Sequence, residues 1–157
     1  PLKRARLDYM VQKATEMGVA RLRPVFTRRT TPERINTGRM RANAIEAAEQ
    51  CGILRVPGIM PPEKLERVVA AWDPDRTLIF CDEDSEASSP VTALEKVARG
   101  PLALLIGPEG GFDKEERHLL SSQPFVVSIS LGPRILRADT AAVAALALVN
   151  ATLGDWS

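Results

Sequence analysis

Leu105–Phe112 reads LIGPEGGF and Ser130–Ala141 reads SLGPRILRADTA. Each segment follows an apolar run of strand length, Leu102–Ile106 and Phe125–Ser130, and each gathers Gly and Pro where a loop must come close to something bound. The runs are continuously apolar rather than alternating, as expected of parallel strands covered on both faces. In such sheets ligands bind beyond the carboxyl ends of the strands, where both loops lie. The second loop also leads into an Ala-rich helix from about Ala138 to Leu153, so Arg137, Asp139 and Thr140 gather at a helix N-terminus suited to a charged ligand.

Outward from these loops, strands and helices alternate. Asp113 can cap a helix over Asp113–Ser121, with Glu116 reaching back as its capping-box partner. Arg76–Cys81 reads as a strand, Asp82–Ser89 as a polar loop, and Pro90 suits the first turn of the helix that follows. Pro62–Trp72 reads as helix, after Pro57, Pro61 and Pro62 break the preceding segment. Leu7, Met10, Val11, Ala14 and Met17 fall at helical spacing, and Gly18 is placed to end that helix. Val19–Phe26 then reads as a strand whose Pro24 favours an edge. Met40, Ala44, Ala47, Ala48 and Cys51 form the apolar stripe of a second helix, leaving Glu46, Glu49 and Gln50 on its polar side.

The chain has 157 residues, 45% of them hydrophobic, enough for one domain, 1–157, with a substantial core. Its apolar runs are too short to cross a bilayer and its first residues lack a signal-peptide core, so a cytoplasmic protein without membrane association is expected. Cys51 and Cys81 have no metal-ligand spacing and His118 is the single histidine, so no metal site is expected. Both thiols are expected to be reduced and structural. Charge is uneven: residues 1–55 hold 12 Lys and Arg against 5 Asp and Glu, whereas residues 56–157 hold 9 against 15. A basic face of that kind attracts a polyanion, and the acidic remainder suits a cationic cofactor, although a solvated mixed surface has the same composition. Neither GxxxxGK[ST] nor GxGxxG occurs, which argues against nucleotide triphosphates and dinucleotides.

With Gln12–Val19 (QKATEMGV), Thr27–Thr30 (TRRT) and Glu46–Gln50 (EAAEQ) added to the two loops, the chain resembles the RsmE family of ribosomal RNA methyltransferases, within the SPOUT or trefoil-knot superfamily. The resemblance runs from about Lys3 to Leu153. Asp139 departs from it, standing where the family usually has Glu, and Cys51–Leu54 (CGIL) is less polar than its family counterpart. The resemblance implies an α/β fold, a mostly parallel sheet with helices on both faces and a C-terminal trefoil knot. It also implies S-adenosylmethionine as cofactor, ribosomal RNA or the small ribosomal subunit as partner, and a homodimer. The family's N-terminal PUA-like RNA-binding domain has no counterpart here, so the chain is expected to be the catalytic domain alone.

On this resemblance the cofactor is held by Cys81, by Ile106, Gly107, Pro108, Glu109, Gly110 and Gly111, and by Ser130, Leu131, Gly132, Ile135, Leu136, Arg137, Thr140 and Ala141. The implied reaction moves its methyl group to N3 of a uridine in small-subunit ribosomal RNA. Positioning and removal of the weakly acidic N3 proton are what the protein must supply. Arg137 is the candidate for stabilising charge on the uracil oxygens, and Asp139 or Glu109 for taking the proton. Plainer roles stand beside these: an ion pair or helix cap for Arg137, a cap for Asp139, a pin on its own loop for Glu109. Arg28, Arg29, Arg34 and Arg55 are candidate phosphate contacts, since guanidinium forks match phosphate oxygens, and Gln50 is a candidate base or cofactor contact. A non-catalytic module binding S-adenosylmethionine and RNA, and a methyltransferase acting on another RNA, remain alternatives.

Overall fold

A computed structural model describes residues 4–30, 35–83 and 89–157 of the chain. The elements follow in the order α1 (Arg4–Glu16), β1 (Arg21–Leu22), β2 (Val25–Phe26), α2 (Thr37–Gln50), β3 (Gly58–Ile59), β4 (Glu63–Lys64), α3 (Leu65–Ala70), β5 (Thr77–Cys81), α4 (Pro90–Glu95), β6 (Leu102–Leu105), α5 (Lys114–Ser121), β7 (Val126–Ile129) and α6 (Ala138–Leu153). Among the described residues every strand pair is parallel.

The three-stranded sheet has the order β6-β5-β7, which puts β5 in the middle. Ile79 pairs with Leu104 on one side and Val127 on the other. Successive β5 side chains point to opposite faces and both faces are covered, so the strand is apolar throughout. Leu78 and Phe80 pack with Leu65 and Val69 of α3 and Leu120 of α5. Ile79 packs the other way, with Leu94 of α4, Ile129 of β7, and Leu148, Val149 and Leu153 of α6. Helices therefore cover both faces, as the apolar strands imply.

The N-terminal part is built differently. Val11 of α1 meets Met40 and Ala44 of α2 in a second core, with Leu22 and Ile59 packed against it. The expected strand over Val19–Phe26 is divided at Pro24 into β1 and β2, which pair separately with β3 and β4. Pro24 has no N–H to give to a ladder, but its carbonyl accepts from the Glu63 amide at 3.1 Å. That bond also shortens the helix expected over Pro62–Trp72: Glu63 and Lys64 are drawn into β4, and α3 begins only at Leu65.

Elsewhere local chemistry sets the boundaries. Gly18 has φ +82° just beyond α1. Asp113 caps α5 with the reciprocal Glu116 bond of a capping box, Pro90 opens α4, and α6 has the expected limits. Cys51 corrects the stripe assigned to α2: Met40, Ala44, Ala47 and Ala48 are buried, but the helix ends at Gln50 and Cys51 is exposed. Both cysteines are free. Among the described residues no helix is long and apolar enough to cross a membrane.

Candidate functional site

The carboxyl ends of β5, β6 and β7 open into one cleft. The β6 loop contributes Ile106, Gly107, Pro108, Glu109, Gly111 and Phe112, the β7 loop contributes Leu131, Gly132, Arg134, Ile135 and Leu136, and Ala138 and Ala141 of α6 close the floor. Cys81, Asp82 and Glu83 come from the end of β5, and Arg117 from α5. The two glycine-containing loops, 25 residues apart in the chain, thus face one space.

Glycine is required in the first loop for identifiable reasons. A Cβ on Gly107 would lie 2.8 Å from the Phe112 ring, which stands edge-on to Phe80 with centroids 5.0 Å apart. Gly111 has φ +64°, and a Cβ there would come within 3.2 Å of the Glu83 carboxylate. Gly110 lies off the cleft wall and faces Arg29, whose Cβ and carbonyl oxygen would both be 3.4 Å from an added Cβ. The Arg29 guanidinium donates to the Gly110 carbonyl at 3.2 Å. Glu109 is ion-paired with Arg6 of α1 at 3.3 Å.

Arg117 joins the ends of two elements. It donates to Asp82 at 2.6 Å, contacts Glu83 at 3.5 Å and reaches the Phe112 carbonyl at 3.4 Å. Its planar fork holds the β5 terminus to the start of α5. Cys81 is half-buried beside this pair, and burial pushes its thiol up to about 12, so it presents a neutral group to the cleft.

Arg137 is the N-cap of α6, with an extended backbone and no side-chain capping bond. Among the described residues its guanidinium has no ion pair or hydrogen bond, so neither the Asp139 pair nor the cap occupies it. Asp139, in the first turn, accepts from the Thr140 amide at 3.1 Å. Ser130, Arg137, Asp139 and Thr140 border the second loop without lining the cleft wall.

The candidate RNA contacts are less uniform. Arg28 is engaged by Glu66, Asp113 and Glu115. Arg55 and Gln50 are exposed, and Arg34 lies outside the described residues. The sequence reading omitted Asp82, Glu83, Phe112, Arg117, Arg134 and Ala138. Asp82 and Glu83 directly follow an apolar parallel strand, and that position was the available signal. Arg117 had none, because its carboxylate partners Asp82 and Glu83 lie 35 and 34 residues away on another element.

Comparison with known proteins agrees with this architecture. A methyltransferase named ribosomal RNA small subunit methyltransferase E, from Rickettsia conorii, is 31% identical over 154 residues, covering 95% of this chain and 61% of its own. A Legionella pneumophila structure solved in complex with bound S-adenosylmethionine superposes with a TM-score of 0.83 at 34% identity, over 99% of this chain and 64% of that one. Ribosomal RNA small subunit methyltransferase E from Neisseria gonorrhoeae, bound to S-adenosyl methionine, gives 0.87 at 26% identity over 100% and 65%. The chain spans about three-fifths of the length of such relatives. The family profile of the RNA methyltransferase domain matches residues 1–150, and with this strand order and these two loops the chain belongs to that family, as its RsmE-like motifs imply.

Proposed function

We propose that this domain binds S-adenosylmethionine in the cleft and transfers its methyl group to N3 of a uridine in small-subunit ribosomal RNA, as a cytoplasmic enzyme. The observation that carries the reading is the convergence of two glycine-containing loops on one cleft, bordered by an arginine that is unpaired among the described residues. The donor set fits the cofactor. Ile106, Leu131 and Leu136 offer apolar walls, and the Asp82 and Glu83 carboxylates, held in place by Arg117, put acidic groups beside them. When bound, the cofactor supplies a methyl group already activated on a sulfonium.

The protein then has two tasks. Arg137 directs its guanidinium to the uracil oxygens, where charge develops as the N3 proton leaves. Asp139 or Glu109 receives that proton; Asp139 shares the α6 turn with Arg137, whereas Glu109 is shared with Arg6. Arg29, Arg34 and Arg55 contribute phosphate contacts and Gln50 a contact to a base, whereas the Arg28 charge is met by Glu66, Asp113 and Glu115. Residues 1–157 act as one methyltransferase domain, with the C-terminal segment threaded into the superfamily's trefoil knot; the match to the RNA methyltransferase domain over residues 1–150 supports this.

A homodimer belongs to the same reading. Ile135, in the cleft lining, is 84% exposed, an apolar side chain that a second copy would cover from outside. Sedimentation should give twice the chain mass, and a strictly monomeric species at micromolar concentration contradicts the dimer. For the activity itself, calorimetry with S-adenosylmethionine followed by methyl transfer to unmodified small ribosomal subunits is decisive. Tight ATP binding without S-adenosylmethionine binding would refute it.

A further inference from the structure

Glu116 is only 1% exposed, and the chemistry above makes no use of it. Its two oxygens are divided between distant parts of the chain. Oε2 accepts from the Asp113 amide at 3.1 Å and completes the cap of α5, whereas Oε1 accepts from the Arg28 amide at 2.8 Å, 88 residues away. A cap needs only the first bond. The second fixes a turn that is already closed on itself: the Thr30 hydroxyl accepts from the Thr27 amide at 3.1 Å, and the Thr30 amide donates to the Thr27 carbonyl at 3.1 Å.

The next residue of that turn returns to the cleft loop. Arg29 donates to the Gly110 carbonyl at 3.2 Å, and its backbone packs where Gly110 lacks a side chain. Glu116, Arg28, Arg29, Gly110 and Asp113 therefore form a closed circuit of short links between the basic turn and the loop at the cleft. A buried carboxylate is costly unless its lone pairs are bound, and here both oxygens are occupied by backbone amides from the two segments it joins.

We propose that Glu116 is a positioning residue that, through the Arg28 amide, locks the Thr27–Thr30 turn to the Gly107–Gly111 loop and so couples that turn to the cofactor cleft. This rests on the reading of that cleft as the S-adenosylmethionine site. By linkage, a ligand that orders one segment raises affinity at the other.

The test compares wild type, Glu116→Gln, Arg29→Ala and the double variant by amide hydrogen exchange and S-adenosylmethionine calorimetry. Gln keeps one acceptor and sets an amino group against the other N–H. Loss of a bond to a charged acceptor should speed exchange at the Arg28 amide about tenfold or more. The Gly110 and Gly111 amides should speed up with it, and cofactor affinity should fall several-fold. Arg29→Ala, an exposed change that leaves the cap intact, should weaken cofactor binding likewise, and the double variant should be no worse than the weaker single one. A residue that merely caps α5 would lower the melting temperature and free the α5 amides, leaving cofactor affinity and Gly110 exchange unchanged; that result overturns the proposal. If wild type takes up no S-adenosylmethionine, the cofactor reading falls, and exchange alone decides the lock. Joint acceleration of Arg28 and Gly110 then supports it, and acceleration of Arg28 alone refutes it.

Discussion

The two loops that form the cleft are held in opposite ways. The Gly107–Gly111 loop is tied from several sides, by Arg6 on Glu109, Arg29 on Gly110, Glu83 and Arg117 beside Gly111, and the Phe112 ring under Gly107. The Leu131–Arg137 loop has no side-chain hydrogen bond or ion pair among the described residues; Gly132 has φ +101° with open space around it, and Ile135 is almost fully exposed. One wall of the site is thus preorganised by the rest of the fold. The other keeps its charged and apolar groups available, which is where a substrate or a second subunit can be recognised without first breaking internal pairs.

The strongest way to break this contrast is at Arg137. If the unpinned loop supplies catalysis, Arg137→Ala should lower single-turnover methyl transfer on the order of 100-fold or more with cofactor affinity largely kept. Arg137→Lys should recover little, because one ammonium does not reproduce a planar fork. Near-normal turnover would remove Arg137 from the mechanism, and a matching collapse in melting temperature would give it a structural role instead.

A smaller effect separates the glycines. In Gly107→Ala the new methyl must displace the Phe112 ring from Phe80, and such overpacking costs about 1–3 kcal/mol. Phe112→Leu in the same chain should restore part of that loss, since it removes the ring atoms met by the methyl. Gly132→Ala meets no atom within 4 Å and carries only the left-handed backbone strain, about 1 kcal/mol. Denaturant midpoints rank the two, and equal losses would mean that the first loop is not the more tightly packed.

The smallest effect is chemical. With its thiol pushed up to about 12, Cys81 should be almost unreactive towards a thiol reagent at pH 8, while exposed Cys51 reacts at an ordinary rate. The sign for stability follows from the same shift. The unfolded thiol ionises near ~8.5 and the folded one does not, so the stability linked to Cys81 is present at neutral pH and falls as pH rises from there towards 12. Two thiols reacting at one rate in the folded protein would place Cys81 outside the buried end of β5.

Legibility in the sequence followed the range of the interactions. The limits of α6, the capping box of α5, the proline at the start of α4 and the apolar strands β5, β6 and β7 depend on neighbours within a turn or on burial common to a whole strand. These leave periodic or positional traces. The division of Val19–Phe26 at Pro24 and the late start of α3 depend on one bond between Pro24 and Glu63, which leaves none. Most of the cleft lining is visible in the sequence through the two loops and Cys81, but Asp82 and Glu83, just beyond β5, look there like part of an ordinary polar loop.

By itself the sequence determined a parallel α/β architecture, the position of two ligand-approaching loops at strand ends, and membership in a family, because burial and turn chemistry are written locally. Only the tertiary structure decided that Gly110 serves Arg29 rather than the cleft wall, that Arg117 ties β5 to α5, and that among the described residues Arg137 is left unpaired while Arg28 is not. Those outcomes depend on which distant segments meet. Arg29 and Gly110 are 81 residues apart, Arg28 and Glu116 are 88, and charge or glycine content alone does not specify such pairings.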